Sequence, residues 1–341
     1  MRRTATWVTG LLLAMLLGDG FAQQLPRVPE VDAPAVKAHV DRAKAIAGDA
    51  FDFLSDGFLC KPARNTISDA IRDIPGFLDP QAPGVEPFAA FDNLYYVGQY
   101  AVGTWILDTG QGLIVFDALN SDRDVKNILL PGMAELGLDP ADMKSVVITH
   151  GHFDHYGGSV FLKETYGVEI AMSKPDWDYL PYDIALPYAR RAGYPEITQP
   201  QRDRVIEDGE TIVMGDASIT FVVTPGHTPG TLSSIIEVRD KGKTRTVGMW
   251  GGQALPPSPK ELSQMHNSLH KFWAIGRARG VEGLISTHPW VVGNFELRDR
   301  GRGVGENPQI IGRDGFERAM GVYDECIHAQ FARHHVRWAG Q

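Results

Sequence analysis

The chain has 341 residues, 43% of them hydrophobic, which supplies enough apolar volume for a buried core and excludes a disordered or fibrous protein. Its 33 Lys and Arg against 42 Asp and Glu give a net charge of −9, a poor match for the polyanionic backbone of nucleic acid. Beyond the first two dozen residues no segment is apolar enough to span a membrane.

The chain opens MRRTATWVTGLLLAMLLGDGFAQQ. Arg2 and Arg3, an apolar run from Trp7 to Leu17 and the small-x-small stretch Gly20-Phe21-Ala22 read together as a secretory signal. The run falls short of the roughly 20 residues of a bilayer span, so cleavage near Ala22 is expected in preference to a retained anchor. Loss of residues 1–22 removes Arg2, Arg3 and Asp19 and moves the net charge from −9 to −10. The expected organisation is a signal peptide over 1–22, an N-terminal extension over 23–90 and a main domain over 91–341. The expected location is periplasmic or secreted, with no membrane anchor in the mature form. The partner is a small-molecule substrate rather than nucleic acid, and the oligomeric state is left open.

In the extension, Leu25–Pro34 and Pro75–Pro87 are rich in Pro and Gly, and one helix is predicted from about Pro34 to Leu54. The only cysteines, Cys60 and Cys326, lie near the two ends of the mature chain. They either pair in an oxidising compartment or stay as two buried thiols, and neither has metal-binding spacing. From Asn93 the runs NLYYVGQ, GTWILDT and GLIVFDA are β-rich, with a hairpin turn at Thr109–Gly112. A helix is predicted over Asp122–Leu138 despite Pro131, then a buried strand over Lys144–Thr149, a helix over Gly158–Tyr166 and a strand over Val168–Met172. A second β block covers Glu210–Met214, Ala217–Thr224, Thr231–Val238 and Thr244–Trp250. After it come a long helix over Ser258–Arg279, a short strand over Gly283–Ser286 and a terminal helix over Gly315–His335. Two strand blocks, each followed by helices, predict two sheets stacked face to face with helices outside.

The stretch THGHFDHYGG, residues 149–158, follows the strand Lys144–Thr149 and concentrates imidazole to a degree no ordinary loop needs. Alternate residues leaving a strand point the same way, so His150 and His152 can grip one ion while Asp154 and His155 turn toward a second. Two further histidines sit in rigid turns at strand ends: His227 in TPGHTPG and His288 in STHPW. Alone, each is an ordinary turn histidine; with the first motif granted, their shared position makes them candidate ligands.

HGHFDH, TPGHTPG and STHPW, in that order, resemble the metallo-β-lactamase superfamily from about Tyr95 to the last helix. The resemblance implies an α+β, four-layer αββα sandwich with a metal pair at one edge between the sheets. It also implies two Zn2+ per chain, the first held by His150, His152 and His227 and the second by Asp154, His155 and His288. Most hydrolases of the superfamily place an aspartate bridging both metals; here TVGMWGGQAL has Gly251 and Gly252 at that point. This ligand set, without a bridging Asp or Cys, resembles the third subclass of metallo-β-lactamases. The implied activity is opening of a β-lactam amide by zinc-activated water, with Asp154 orienting the water and passing a proton. A related hydrolase of lactones, other esters or amides is the alternative, and a non-catalytic zinc-binding periplasmic protein the remoter one. For substrate contacts the candidates are Gln253, which follows the two glycines, and Arg190 and Arg191 in the aromatic-rich segment Trp177–Tyr194. His266 and His270 share a helix face but have no third ligand in view, so they read as a face that is solvated or that supports the metal site from behind, and His39, His328, His334 and His335 read as surface.

Overall fold

The computed structural model describes residues 33–56, 58–61, 74–301 and 305–339. The segment read as a signal peptide, with its cleavage point at Ala22, lies outside the described residues, as do 23–32 and 62–73 of the extension. Among the described residues no helix is long and apolar enough to cross a membrane.

Among the described residues, twelve strands form two sheets. The first comprises β1 (Phe88–Phe91), β2 (Leu94–Gly98), β3 (Gly103–Asp108), β4 (Leu113–Phe116), β5 (Met143–Val147), β6 (Glu169–Ser173) and β7 (Arg204–Ile206), in sequential order. The second runs in the order β12 (Gly283–Ile285), β11 (Lys243–Met249), β10 (Leu232–Asp240), β9 (Ala217–Val223) and β8 (Thr211–Met214). The helices are α1 (Pro34–Ala47), α2 (Asp52–Asp56), α3 (Leu130–Glu135), α4 (Phe153–Tyr156), α5 (Ser159–Tyr166), α6 (Lys174–Tyr179), α7 (Leu186–Ala192), α8 (Pro259–Arg279), α9 (Asn294–Gly301) and α10 (Gly312–Ala339).

The period of two along each strand divides the apolar side chains between faces. Trp105, Leu107, Ile114 and Phe116 pack between the sheets against Phe221, Ile236, Val247 and Met249. Their neighbours Ile106, Leu113 and Val115 turn outward onto Phe153, Tyr156, Leu162 and Trp177 of α4 to α6. Ile235 turns out of the second sheet onto a third core built from α1, α2, α8 and α10, with Ala43, Leu54, Leu269, Phe272, Phe316 and Tyr323. Three cores between four layers are the expected αββα sandwich.

Several boundaries move. Phe88 pairs with Tyr96, so the first sheet begins inside the stretch assigned to the extension. The helix read over Pro34–Leu54 breaks at Gly48, whose φ of 50 only glycine adopts cheaply. In Asp122–Leu138, Pro131 has no N–H to donate and its ring crowds the preceding turn. The backbone widens into a π turn over Val125–Leu129, with the Leu130 N–H donating to Val125 O, and the helix stops at Glu135. β7 escaped the sequence reading because three residues are too few to show alternation.

Cys60 and Cys326 form a disulfide across 266 residues of sequence, settling the choice between pairing and two thiols. It ties the extension to the middle of α10. Cys326→Ser is expected to cost about 2–5 kcal/mol, read as a lower urea midpoint. An unchanged midpoint would mean that packing of α1 on α10 alone holds the extension.

Candidate metal centre

β4, β5 and β6 are mutually parallel, and β9 and β11 share one direction because each is antiparallel to β10. Their C-terminal ends, with that of β12, come to one edge of the sandwich. That edge therefore receives Asp117 after β4, His150 after β5, Asp176 after β6, His227 after β9, Gly251 after β11 and His288 after β12. His150 and His152 stay in the loop, while Asp154 and His155 lie in the single turn of α4.

His150, His152 and His227 form a near-equilateral triangle. Their ring centroids are 4.9, 4.5 and 4.8 Å apart and their planes cross at 84°, 90° and 81°. His150 Nδ1 lies 2.9 Å from Gly251 O and His227 Nδ1 lies 3.1 Å from Ala254 O. A carbonyl only accepts, so each Nδ1 carries the proton and each Nε2 an unshared lone pair. Those two Nε2 atoms face each other at 3.1 Å. Two lone pairs at that distance repel unless a cation lies between them, and tetrahedral zinc with bonds of about 2.0–2.1 Å holds its ligand atoms about 3.3 Å apart. His152 Nε2 is 3.4 Å from the Tyr179 hydroxyl, which leaves its Nδ1 for the centre. Burial, with the crowding of neighbouring imidazoles, holds His150 and His152 well below the ordinary histidine value and brings His227 down to about 4. All three are neutral and ready to ligate.

Asp154, His155 and His288 form the second group. His288 Nδ1 donates to Ala101 O at 2.7 Å, which turns its Nε2 toward Asp154 Oδ2 at 3.6 Å. His155 Nδ1 donates to Asp117 Oδ2 at 2.6 Å. Its Nε2 is fully buried without a hydrogen-bond partner, 3.2 Å from Asp154 Oδ2. Burial opposes charge on His155, yet Asp154 and Asp117 on either side raise it to about 10. Their pull on a proton is equally a pull on any cation held at Nε2. Burial likewise opposes charge on Asp154, and His155 with His288 and His152 holds its carboxyl far below the usual range. Six side chains therefore converge as two adjoining groups, and both fit a divalent metal.

Two aspartates absent from the sequence reading position this set. Asp117 holds His155 through Oδ2 and also takes the Thr149 hydroxyl at 2.8 Å and the Thr149 N–H at 2.6 Å, a carboxylate–histidine–metal relay. It does so in the left-handed region, at φ 66. Asp176 accepts from Gly151 N at 2.9 Å, Thr228 Oγ1 at 2.7 Å and Gly230 N at 2.6 Å, and so locks the His150 loop to the His227 loop. Its partners are 25, 52 and 54 residues away, so no local pattern announces it. At Gly251 and Gly252, beside the first ligand group, there is no room for a side chain. A Cβ on Gly251 would meet Leu232 O at 2.2 Å, and one on Gly252 would meet His227 Cβ at 2.5 Å.

The ligands open into a cleft of about 100 Å³ whose other walls include Phe58, Ile74, Phe77, Ala185, Trp290 and Val291. Three of these come from the N-terminal extension: Phe58 packs edge-on to Trp290 and Phe77 lies against His288, ring centroids 5.3 and 6.0 Å apart. The extension is thus a wall of the site. Of the expected substrate contacts, Gln253 reaches the cleft, but its amide is turned inward. Nε2 donates to Trp250 O and Ser286 Oγ at 2.9 and 2.8 Å, and Oε1 accepts from the Tyr323 hydroxyl. It positions the His288 loop, whose N–H rests on the same Ser286 Oγ. Arg190 and Arg191 are exposed at the end of α7, Arg191 over the Tyr188 ring, and neither lines the cleft.

Beside this wall Asp183 accepts from the Tyr156 hydroxyl and Ala185 N, both at 2.8 Å, and burial pushes it up to about 6. A folded value above the unfolded one means that the fold retains a proton. Stability from this group is fully present below about pH 4, falls as pH rises to about 6 and is level above. Relative to Asp183→Asn, the wild type should lose about 2–3 kcal/mol across that window, measured by urea unfolding at pH 4 and pH 7. An equal difference at both values would show ordinary titration.

Residues 97–240 match the metallo-beta-lactamase superfamily. Among curated relatives, a hydroxyacylglutathione hydrolase, GloC of Haemophilus influenzae, is 32% identical over 125 residues, 36% of this chain and 57% of that protein. An N-acyl homoserine lactonase, AttM of Azorhizobium caulinodans, is 27% identical over 171 residues, 45% of this chain and 61% of that protein. The chain thus spans less than two thirds of the length of either relative. Among solved structures, BJP-1, a subclass B3 metallo-beta-lactamase of Bradyrhizobium japonicum, aligns with TM-score 0.60 and 24% identity over 78% of this chain and 98% of that one. The FEZ-1 metallo-beta-lactamase from Legionella gormanii aligns with TM-score 0.61 and 21% identity over 76% and 97%. Two converging ligand groups, the sequence match and the shared sandwich agree: residues 97–240 carry a metallo-beta-lactamase superfamily domain, and the solved structures that share its fold include subclass B3 metallo-beta-lactamases.

Proposed function

We propose that the protein is an exported di-zinc hydrolase that opens the amide ring of β-lactams. The observation that carries the reading is the ligand set: His150, His152 and His227 beside Asp154, His155 and His288, with no aspartate or cysteine in the stretch GGQAL, residues 251–255, where the resemblance would put a bridging ligand. Bound zinc supplies an acidified water and a Lewis acid for the carbonyl. The chain supplies the rest. Three neutral imidazoles leave an ion's charge undiminished, and Asp154 Oδ2, between His155 and His288, is placed to orient the water and take up its proton. Phe58, Phe77 and Trp290 exclude solvent along one side and orient the substrate. The complete ligand set favours catalysis over a purely metal-binding role. Export is supported by the N-terminal signal pattern and by the Cys60–Cys326 disulfide, a bond that persists in oxidising compartments. An intact mass beginning at Gln23 in protein recovered from the periplasm would test it.

A second reading, a hydrolase of neutral lactones or esters, is favoured by one observation: the cleft lining holds no lysine or arginine to meet a substrate carboxylate, and its walls are apolar. The relatives named above as an N-acyl homoserine lactonase and a hydroxyacylglutathione hydrolase point the same way. Purified zinc-loaded protein assayed against a chromogenic cephalosporin, acyl homoserine lactones and a glutathione thioester separates the readings. Chelator-sensitive cephalosporin turnover is expected; its absence alongside lactone turnover moves the assignment to the second.

A further inference from the structure

His266 and His270 read from sequence as a solvated or supporting pair lacking a third ligand, and His328 as surface. The fold supplies what was missing. His266 and His270 are one turn apart on α8, Asp324 and His328 one turn apart on α10, and each pair shares one face of its helix. Where the helices pack, the two pairs meet. Asp324 Oδ1 lies 3.1 Å from His266 Nε2 and 2.9 Å from His270 Nε2, and those two nitrogens are 3.2 Å apart. His328 stands edge-on to His266 at 86°, ring centroids 5.0 Å apart; its Nδ1 donates to Asp324 O at 2.8 Å, which leaves Nε2 with the unshared lone pair. Ligand atoms of His266, Asp324 and His328 all lie within 4.8 Å of one another.

One histidine would satisfy one carboxylate, but here three imidazoles gather around Asp324. The 2.9–3.2 Å triangle is within a few tenths of an ångström of the edge that tetrahedral zinc imposes, about 3.3 Å. Burial holds His266 below its ordinary value, which favours the neutral ring. From the N-terminal helix α1, His39 stacks on the His328 ring at 5.4 Å and 11°, and its Nδ1 is 2.7 Å from Glu325 Oε2, which orients the cluster from behind. None of these residues lines the catalytic cleft.

We propose that His266, His270 and Asp324, with His328 completing the set, form a separate site for a divalent transition ion of the zinc type. The mixture of imidazole and carboxylate selects such an ion over calcium or magnesium. Its consequence is structural: the ion staples α10 to α8 next to the Cys326 disulfide, so the C-terminal helix and the extension that walls the cleft are fixed from two sides.

The test compares the zinc-dialysed wild type with His266→Ala/His270→Ala by elemental analysis, with cobalt(II) absorption and hydrolysis rate measured in parallel. The double variant is expected to hold one metal equivalent fewer and to keep its hydrolysis rate. In a His227→Ala background, the rise in melting temperature on adding zinc should be larger with His266 and His270 intact than with both replaced. Equal metal content in wild type and double variant, with equal zinc-induced shifts, would overturn the proposal. The half-exposed His270→Ala alone is the companion should the double variant fold poorly. Because the readout is a difference between variants, it stands whatever the number of ions in the catalytic centre.

Discussion

Asp154→Asn is expected to lower kcat/KM by about 100- to 10,000-fold, the range lost when a positioned acid–base group is removed. Asp154 is buried with Oδ2 3.2 Å from His155 Nε2 and 3.6 Å from His288 Nε2, so it is the one anion facing both imidazoles. An asparagine of nearly the same shape keeps one acceptor oxygen but not the charge that holds a cation there or takes up a proton. Metal content measured beside the kinetics separates the two functions. Loss of rate with metal retained assigns the proton role, and loss of both assigns ligation alone. Full turnover with full metal would remove Asp154 from the mechanism.

Asp176→Ala should cost about 3–5 kcal/mol in stability and 10- to 100-fold in zinc affinity. The carboxylate satisfies two backbone N–H groups and a hydroxyl in a region closed to water. Alanine leaves all three donors buried without an acceptor and frees the His150 loop from the His227 loop. Asp176→Asn, which keeps one acceptor oxygen, should fall between wild type and alanine. The measurements are urea unfolding and competition with a chromogenic zinc chelator. An alanine variant with unaltered affinity would show that β5 and β9 hold their histidines without the clamp.

His150, His152, Asp154 and His155 were legible because they are consecutive in a strand-to-helix connection, where spacing is close to geometry. His227 and His288 were legible one step removed, since a rigid turn at a strand end is a recognisable place for a ligand. Gln253, Arg190 and Arg191 show where that reasoning stops. Nearness in sequence to the site, or to an aromatic segment, does not say which way a side chain turns. Gln253 turned toward Ser286 and Tyr323, and the arginines turned to solvent. His266 and His270 failed the other way, because their partner Asp324 is more than 50 residues distant.

From residue order alone came the two strand blocks with their outer helices and the histidine-rich turns at strand ends, carried by periods of two or 3.6 and by turn chemistry; the grouping of six candidate ligands and the missing bridging aspartate were what the family resemblance implied. Only the tertiary structure decided that Cys60 pairs with Cys326, that the extension walls the cleft with Phe58, Ile74 and Phe77, that Asp117 and Asp176 hold the ligand loops, and that α8 and α10 bring their histidines to one carboxylate. The reason is physical. Each of those contacts joins segments far apart in the chain, and which of the many possible meetings occurs is set by how three apolar cores pack at once, a property that no local window contains.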